Sequence, residues 1–257
     1  MHMGKELELH DKVRRLCQET HFNESEVEAI LKLHSNLVAE VPMDRMQFRS
    51  VLFHTLEISE TFILDRIFRV VDQNGNDVID GDEFVQCLST MMRGSLEEHL
   101  NFCYNVYDVN GDRSLAREEI FMCLDGSFRP GRGILEKEEI SDSIRDIVEI
   151  MMRKLDVDKD GQITFGDFRA AIMNDPLLVQ ALGQCLPPKR NSRSILFLVT
   201  KDDRNLSNII FDSVPPPKNS PSLKGDSRVA KTPSHTNASA QSLTLRKSLQ
   251  KLSNYLH

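Results

Sequence analysis

Three twelve-residue segments constrain this chain more than any other feature. They begin at Asp72, Asp108 and Asp156. Each has oxygen-bearing side chains at positions 1, 3 and 5, an apolar residue at position 8 and a carboxylate at position 12. Clustered like charges repel unless a cation or hydrogen-bond donors sit among them. A hard cation such as calcium takes about six to eight oxygens, and a tight loop supplies them from positions 1, 3, 5, 7, 9 and 12. Position 7 contributes its backbone carbonyl, and position 6 needs a left-handed backbone that favours glycine.

In the first segment Asp72, Asn74 and Asn76 lead, Val78 offers its carbonyl, Asp80 stands at position 9 and Glu83 closes. Ile79 is the apolar plug and Asp77 occupies position 6. In the second, Asp108, Asn110 and Asp112 lead, Ser114 lends its carbonyl, Leu115 is the plug and Glu119 closes. Arg113 stands at position 6, and Ala116 at position 9 has no side-chain oxygen, so water fills that place. In the third, Asp156, Asp158 and Asp160 precede Gly161, Gln162 gives its carbonyl, Ile163 is the plug, Thr164 holds position 9 and Asp167 closes. The shorter arm of Asp167 reaches an ion less fully than Glu. That weakens calcium and makes the site more tolerant of magnesium, which prefers six-fold coordination.

The residues around these loops read as helices. Phe62, Ile63, Ile67, Phe68 and Val71 share one helical face, as do Phe84, Cys87, Leu88 and Met91, and Ile144, Ile147, Val148, Met151, Met152 and Leu155. Helix, acidic loop, helix is the EF-hand repeat. EF-hands pair, so a fourth is expected before residue 60. Asn23 to Leu33 predicts a helix capped by Asn23 with Glu26 three residues on. Met46 to Leu56 predicts another. Between them Val38, Ala39, Val41 and Pro42 stand where acids belong, so this hand is read as degenerate and metal-free, packing on the first intact one. The longest break is placed at Asp125 to Leu135.

The expected fold is all-α, with two pairs of EF-hands in one calcium-sensor-like body. The first pair spans 1–92 and the second 93–188. Residues 1–185 carry 20 Lys+Arg against 35 Asp+Glu, whereas residues 186–257 carry 12 against 4. Seven of the ten prolines lie beyond residue 186, with many serines. That composition buries too little apolar surface to offset chain entropy, so 189–257 is expected to be a largely disordered basic tail. Within it Leu245, Leu249, Leu252 and Leu256 share a helical face beside Arg246, Lys247 and Lys251, which predicts an amphipathic helix over 242–256.

Other chemistries find no support. The five cysteines are odd in number and show no CxxC spacing, which points to reduced core residues of an intracellular protein. No apolar run reaches the length of a membrane span, and neither a signal peptide nor a myristoylation motif is expected. Metalloprotease, phosphate-cradling and nucleophile-elbow motifs are absent, so no enzyme is expected. A basic tail short of aromatics argues against nucleic-acid binding.

Three further stretches carry a family likeness. They are Asp65 to Arg69, then Arg93 to Glu98 with Tyr107 to Asp112, and Leu182 to Pro187. Together with the Asp closing the last loop, they make residues 20–188 resemble the calaxins, ciliary relatives of the neuronal calcium sensors. The resemblance implies a calcium sensor of the cytoplasm and ciliary axoneme. It implies association with the outer-arm dynein heavy chain and its docking complex on doublet microtubules. Asp77 and Arg113 depart from the glycines usual there, and the tail is longer than the resemblance covers. A sensor hand would receive an amphipathic helical target in an apolar groove, for which the ten methionines suit. For most of these methionines core packing is the plainer reading. The alternatives are a structural or buffering EF-hand protein, or a sensor with a non-ciliary helical target.

Overall fold

The computed structural model describes residues 2–128, 137–182 and 184–188. The expected disordered tail and the helix placed at 242–256 lie outside the described residues. The chain opens with α1 (His2–Glu19), followed by α2 (Glu24–Leu37), α3 (Arg45–Leu56), α4 (Thr61–Val71), α5 (Gly81–Arg93) and α6 (Leu96–Tyr107). After them come β1 (Ser114–Leu115), α7 (Arg117–Phe128), α8 (Lys137–Leu155), β2 (Ile163–Thr164), α9 (Phe165–Asn174) and α10 (Leu178–Ala181). The all-α reading holds, the strands being only the short contact between two loops.

Helix starts are written in capping boxes, which satisfy amides left without an intrahelical partner. Asn23 and Glu26 make one for α2, Asp80 and Glu83 for α5, Ser95 and Glu98 for α6, and Thr164 and Asp167 for α9. The outgoing helices of the first and third intact hands, α5 and α9, are thus capped by position 9 and position 12 of their own loops. α2 runs to Leu37, one turn further than Leu33.

The break placed at Asp125 needs correcting. α7 continues through Gly126 to Phe128, because one glycine costs a helix about 1 kcal/mol while each added residue gains a hydrogen bond. The rest of that break falls on residues outside the described ones.

The core is continuous. Val13 and Leu16 of α1, Ile30 of α2, Phe48 and Leu52 of α3, Ile63 and Phe68 of α4, and Phe84 of α5 are buried with Tyr104, Cys123, Met151 and Phe168 further along. Cys87, Cys103, Cys123 and Cys185 are buried free thiols. Met91, Met151 and Met152 are core residues, as the plainer reading of the methionines has it.

The segment between α2 and α3 packs on the first intact loop. The Ile79 amide donates to the Met43 carbonyl at 2.9 Å, so the plug of the first loop meets the loop of the hand that has lost its acids. The other half of that contact is supplied by a side chain. The His34 ring nitrogen lies 2.9 Å from the Ile79 carbonyl, and its ring packs against Phe84 at 5.5 Å between centroids.

Candidate metal centres

Each of the three loops leaves an incoming helix and enters an outgoing one, so the position-1 and position-12 side chains hang from different helices. Asp72 follows α4 and Glu83 sits in the first turn of α5. Asp108 follows α6 and Glu119 sits in α7. Asp156 follows α8 and Asp167 sits in α9. The three plugs Ile79, Leu115 and Ile163 are fully buried at 0% exposure. The second and third loops pair antiparallel through β1 and β2, with Ser114 opposite Thr164 and Leu115 opposite Ile163.

The first loop is wound around its leading carboxylate. Asp72 Oδ1 accepts from the Asn76 amide at 3.1 Å and Oδ2 from the Asp77 amide at 3.0 Å. Asn74 Oδ1 accepts from the Asn76 amide at 3.0 Å, and Asn76 Oδ1 from the Val78 amide at 2.9 Å. Position 12 closes the ring from the other side. Glu83 Oε1 accepts from the Gln73 and Asn74 amides at 3.0 and 3.3 Å, and Oε2 from the Asp80 amide at 3.0 Å.

The second loop repeats this circuit. Asp108 takes the Gly111 amide at 2.7 Å and the Arg113 amide at 2.9 Å. Asn110 Oδ1 accepts from the Asp112 amide at 2.8 Å, and Asp112 Oδ1 from the Ser114 amide at 2.8 Å. Glu119 Oε1 holds the Val109 and Asn110 amides at 2.8 and 3.0 Å, and Oε2 the Ala116 amide at 2.8 Å.

The third loop gathers its acids most closely. Carboxylate oxygens of Asp156, Asp158 and Asp160 all lie within 4.8 Å of one another. Asp156 Oδ1 is buried with no hydrogen-bond partner, while Oδ2 accepts from the Gly161 amide at 3.1 Å. A buried carboxylate oxygen without a donor is costly, and a cation among the three carboxylates removes that cost. This donor set fits a hard divalent ion. Asp167 Oδ2 is turned to Thr164, accepting from its hydroxyl at 2.5 Å and its amide at 3.1 Å. The Thr164 hydroxyl foremost, with backbone amides of Thr164 and Asp158, holds that carboxyl below the ordinary carboxylate range despite its burial. Gln162 stands one residue before the plug, as Val78 and Ser114 do.

Backbone conformation follows one rule in all three loops. Positions 4 and 6 are both left-handed: Gly75 and Asp77, Gly111 and Arg113, Lys159 and Gly161, with φ from 61° to 89°. Each loop therefore has one glycine and one side-chain-bearing residue in that region. The first two place the glycine at position 4 and the third at position 6. The chain tolerates Asp77 and Arg113 there, at about 1 kcal/mol or more each.

Position 9 serves the helix before any ion. Asp80 Oδ1 caps α5 by accepting from the Asp82 and Glu83 amides at 2.9 and 3.0 Å. Sequence reading missed a second feature of this end. Asp82, position 11 of the first loop, is gripped by Lys12 and Arg15 of α1 at 2.5 Å each. Burial acts to raise the pKa of its carboxyl, but the two cations outweigh that and hold it low. Nothing local announces the contact with Arg15, since it lies 67 positions away.

Paired hands with plugged, acid-lined loops define a calcium-binding protein of the EF-hand class. The description of an EF-hand domain pair matches residues 97–173, from α6 to α9. The chain is 36% identical over 186 residues to a calaxin of Danio rerio, covering 68% of this chain and 86% of that protein. It is 33% identical over 216 residues to a calaxin of Homo sapiens, covering 81% of this chain and all of that protein. A recoverin family protein of Dictyostelium discoideum is 24% identical over 199 residues, 70% of this chain and 88% of that one. The chain belongs to the calaxin family.

Proposed function

We propose that this protein is a calcium sensor of motile cilia, and that it acts on the outer-arm dynein heavy chain and its docking complex on the doublet microtubule. The observation that carries the sensor reading is the placement of Glu83, Glu119 and Asp167 on the outgoing helices α5, α7 and α9. The Glu83 and Glu119 carboxylates hold backbone amides across their loops, and Asp167 holds the amide and hydroxyl of Thr164. A change in where these side chains point is a change in the direction of a helix. Membership of the calaxin family supports the axonemal setting. Among the described residues no helix is long and apolar enough to cross a membrane.

The ligands in this reading are Asp72, Asn74, Asn76, Asp80 and Glu83 with the Val78 carbonyl. In the second loop they are Asp108, Asn110, Asp112 and Glu119 with the Ser114 carbonyl. In the third they are Asp156, Asp158, Asp160, Thr164 and Asp167 with the Gln162 carbonyl. A bound calcium ion supplies the positive charge that balances each carboxylate cluster; magnesium competes best at the third loop. The residues do the rest: they set the helix angle and so the surface offered to an amphipathic helical partner. We place the working units at 1–92, 93–188 and the tail 189–257. The role is regulation by binding, not catalysis.

The test is binding of the full chain to purified outer-arm dynein with its docking complex, in calcium and in chelator, alongside exposure of apolar surface read by an environment-sensitive dye. Calcium-dependent changes in both support the reading. A dye signal unmoved by calcium leaves a fixed structural or buffering hand instead.

A further inference from the structure

Arg66 sits mid-helix in α4 and is 9% exposed. Its Nε donates to the Val106 carbonyl at 3.1 Å, and one terminal nitrogen donates to the Asp108 carbonyl at 2.5 Å. The same nitrogen reaches the Asn105 carbonyl at 3.5 Å. Val106 and Asn105 lie in the last turn of α6, where carbonyls lack intrahelical partners and the helix end is negative. Asp108 is position 1 of the second loop. Burial foremost, with Arg69, lowers the pKa of Arg66, while Cys123, Asp108 and Glu119 act in the opposite sense. A guanidinium stays charged in such a place.

This contact is unusual in what it spans. α4 ends at Val71, and its C-cap is Asp72, position 1 of the first loop. The first ligand positions of two loops are thereby joined through one short helix and one side chain. α4 also packs against both α6 and α7, the incoming and outgoing helices of the second loop. A change in the angle between α6 and α7 therefore meets α4 on both sides.

We propose that Arg66 is a positioning residue that couples the Asp108–Glu119 loop to the Asp72–Glu83 loop across the two EF-hand pairs. The inference rests on the metal reading of those loops, while the docking of α4 on the end of α6 is made by protein groups alone. The fork matters as much as the charge. A lysine presents one compact donor group and does not hold the Val106 and Asp108 carbonyls in fixed relation.

The experiment is a calcium titration of the full chain by NMR, following the first loop at the Gly75 amide and the second at the Gly111 amide. Glu119→Gln disables the second loop. In the wild-type background it weakens calcium at the first loop by about five-fold or more. In Arg66→Met the same change has an effect under about two-fold. Equal factors in the two backgrounds, or no effect in wild type, overturn the proposal. A purely structural Arg66 lowers the unfolding temperature and leaves the factor intact. If Arg66→Met does not fold, Arg66→Lys decides, a wild-type factor overturning the proposal and a reduced one supporting it. If neither amide responds to calcium, the metal reading has failed, and coupling is judged in chelator by urea unfolding at the same two amides. Coincident midpoints in wild type that separate in Arg66→Lys support it; coincident midpoints in both overturn it.

Discussion

The Tyr104 hydroxyl lies 2.7 Å from the Arg113 carbonyl. Arg113 is position 6 of the second loop, one of the strained left-handed residues, with φ of 67°. The same hydroxyl is 3.0 Å from the carbonyl of Ile163, the plug of the third loop. One phenol on α6 thus fixes the turn of its own loop and reaches the loop it pairs with. Its ring packs edge-on against Phe165 and Phe168 of α9, at 5.4 Å in each case.

Tyr104→Phe keeps the ring and removes that donor. It should destabilise the metal-free protein by about 1–2 kcal/mol, since the buried bond to the Ile163 carbonyl and the part-buried one to the Arg113 carbonyl are lost. Urea unfolding in chelator measures this. A change within experimental error would show that the hydroxyl contributes nothing.

Relief of backbone strain gives a change of opposite sign. Arg113 makes no ion pair that its replacement by glycine would break among the described contacts of its side chain, and it is exposed. Arg113→Gly should stabilise the protein by about 1 kcal/mol, the left-handed penalty less part of the added freedom of the unfolded chain. Gly161→Ala, at φ of 89°, should destabilise it by a similar amount. Thermal unfolding of the two variants side by side reads both signs.

The third loop differs at position 12, where Asp167 is bonded back to Thr164. Asp167→Glu adds one methylene and the reach that Glu83 and Glu119 already have. Calcium affinity at this loop should rise about ten-fold while magnesium affinity does not, because magnesium does not use the second carboxylate oxygen. Competitive titration of calcium against magnesium tests this.

Stability should fall in acid for identifiable reasons. The Ser95 amide, then its hydroxyl and His21, hold the Glu98 carboxyl down at about 2. Burial acts to raise Glu26, but hydrogen bonds from Arg93 and the Asn23 amide outweigh it, and the net shift is downward. Arg93 meets the two Glu26 oxygens at 2.6 and 2.7 Å. A carboxyl whose pKa is depressed on folding contributes stability above its unfolded value and loses it as pH falls through the folded one. The urea midpoint in chelator should drop between the ordinary glutamate value of 4.5 and about 2, below an earlier decline where the His99 imidazole, held below its ordinary value foremost by burial, charges more readily in the unfolded chain. Glu98→Gln should flatten the lower part of that slope.

The loops were legible in the sequence because everything they need lies within twelve consecutive residues. Side-chain oxygens, plug and closing acid are fixed by spacing, and so is the left-handed demand on Asp77, Arg113 and Gly161. The demand at position 4 was less visible, since Lys159 gives no sign of it. Two helices around a segment without acids were legible before residue 60, and that segment meets the first loop where the Ile79 amide donates to the Met43 carbonyl. Contacts between distant segments were not legible. Arg66 and Asp108 are 42 positions apart, and Arg15 and Asp82 are 67 apart. An arginine in an amphipathic helix reads as an exposed charge until the end of another helix is placed against it.

Calorimetric titration of the full, chelator-treated chain with calcium tests the central claim most directly. The account predicts three ions bound per chain, with one lost in each of Glu83→Gln, Glu119→Gln and Asp167→Asn. No heat and no bound ion at millimolar calcium would contradict it.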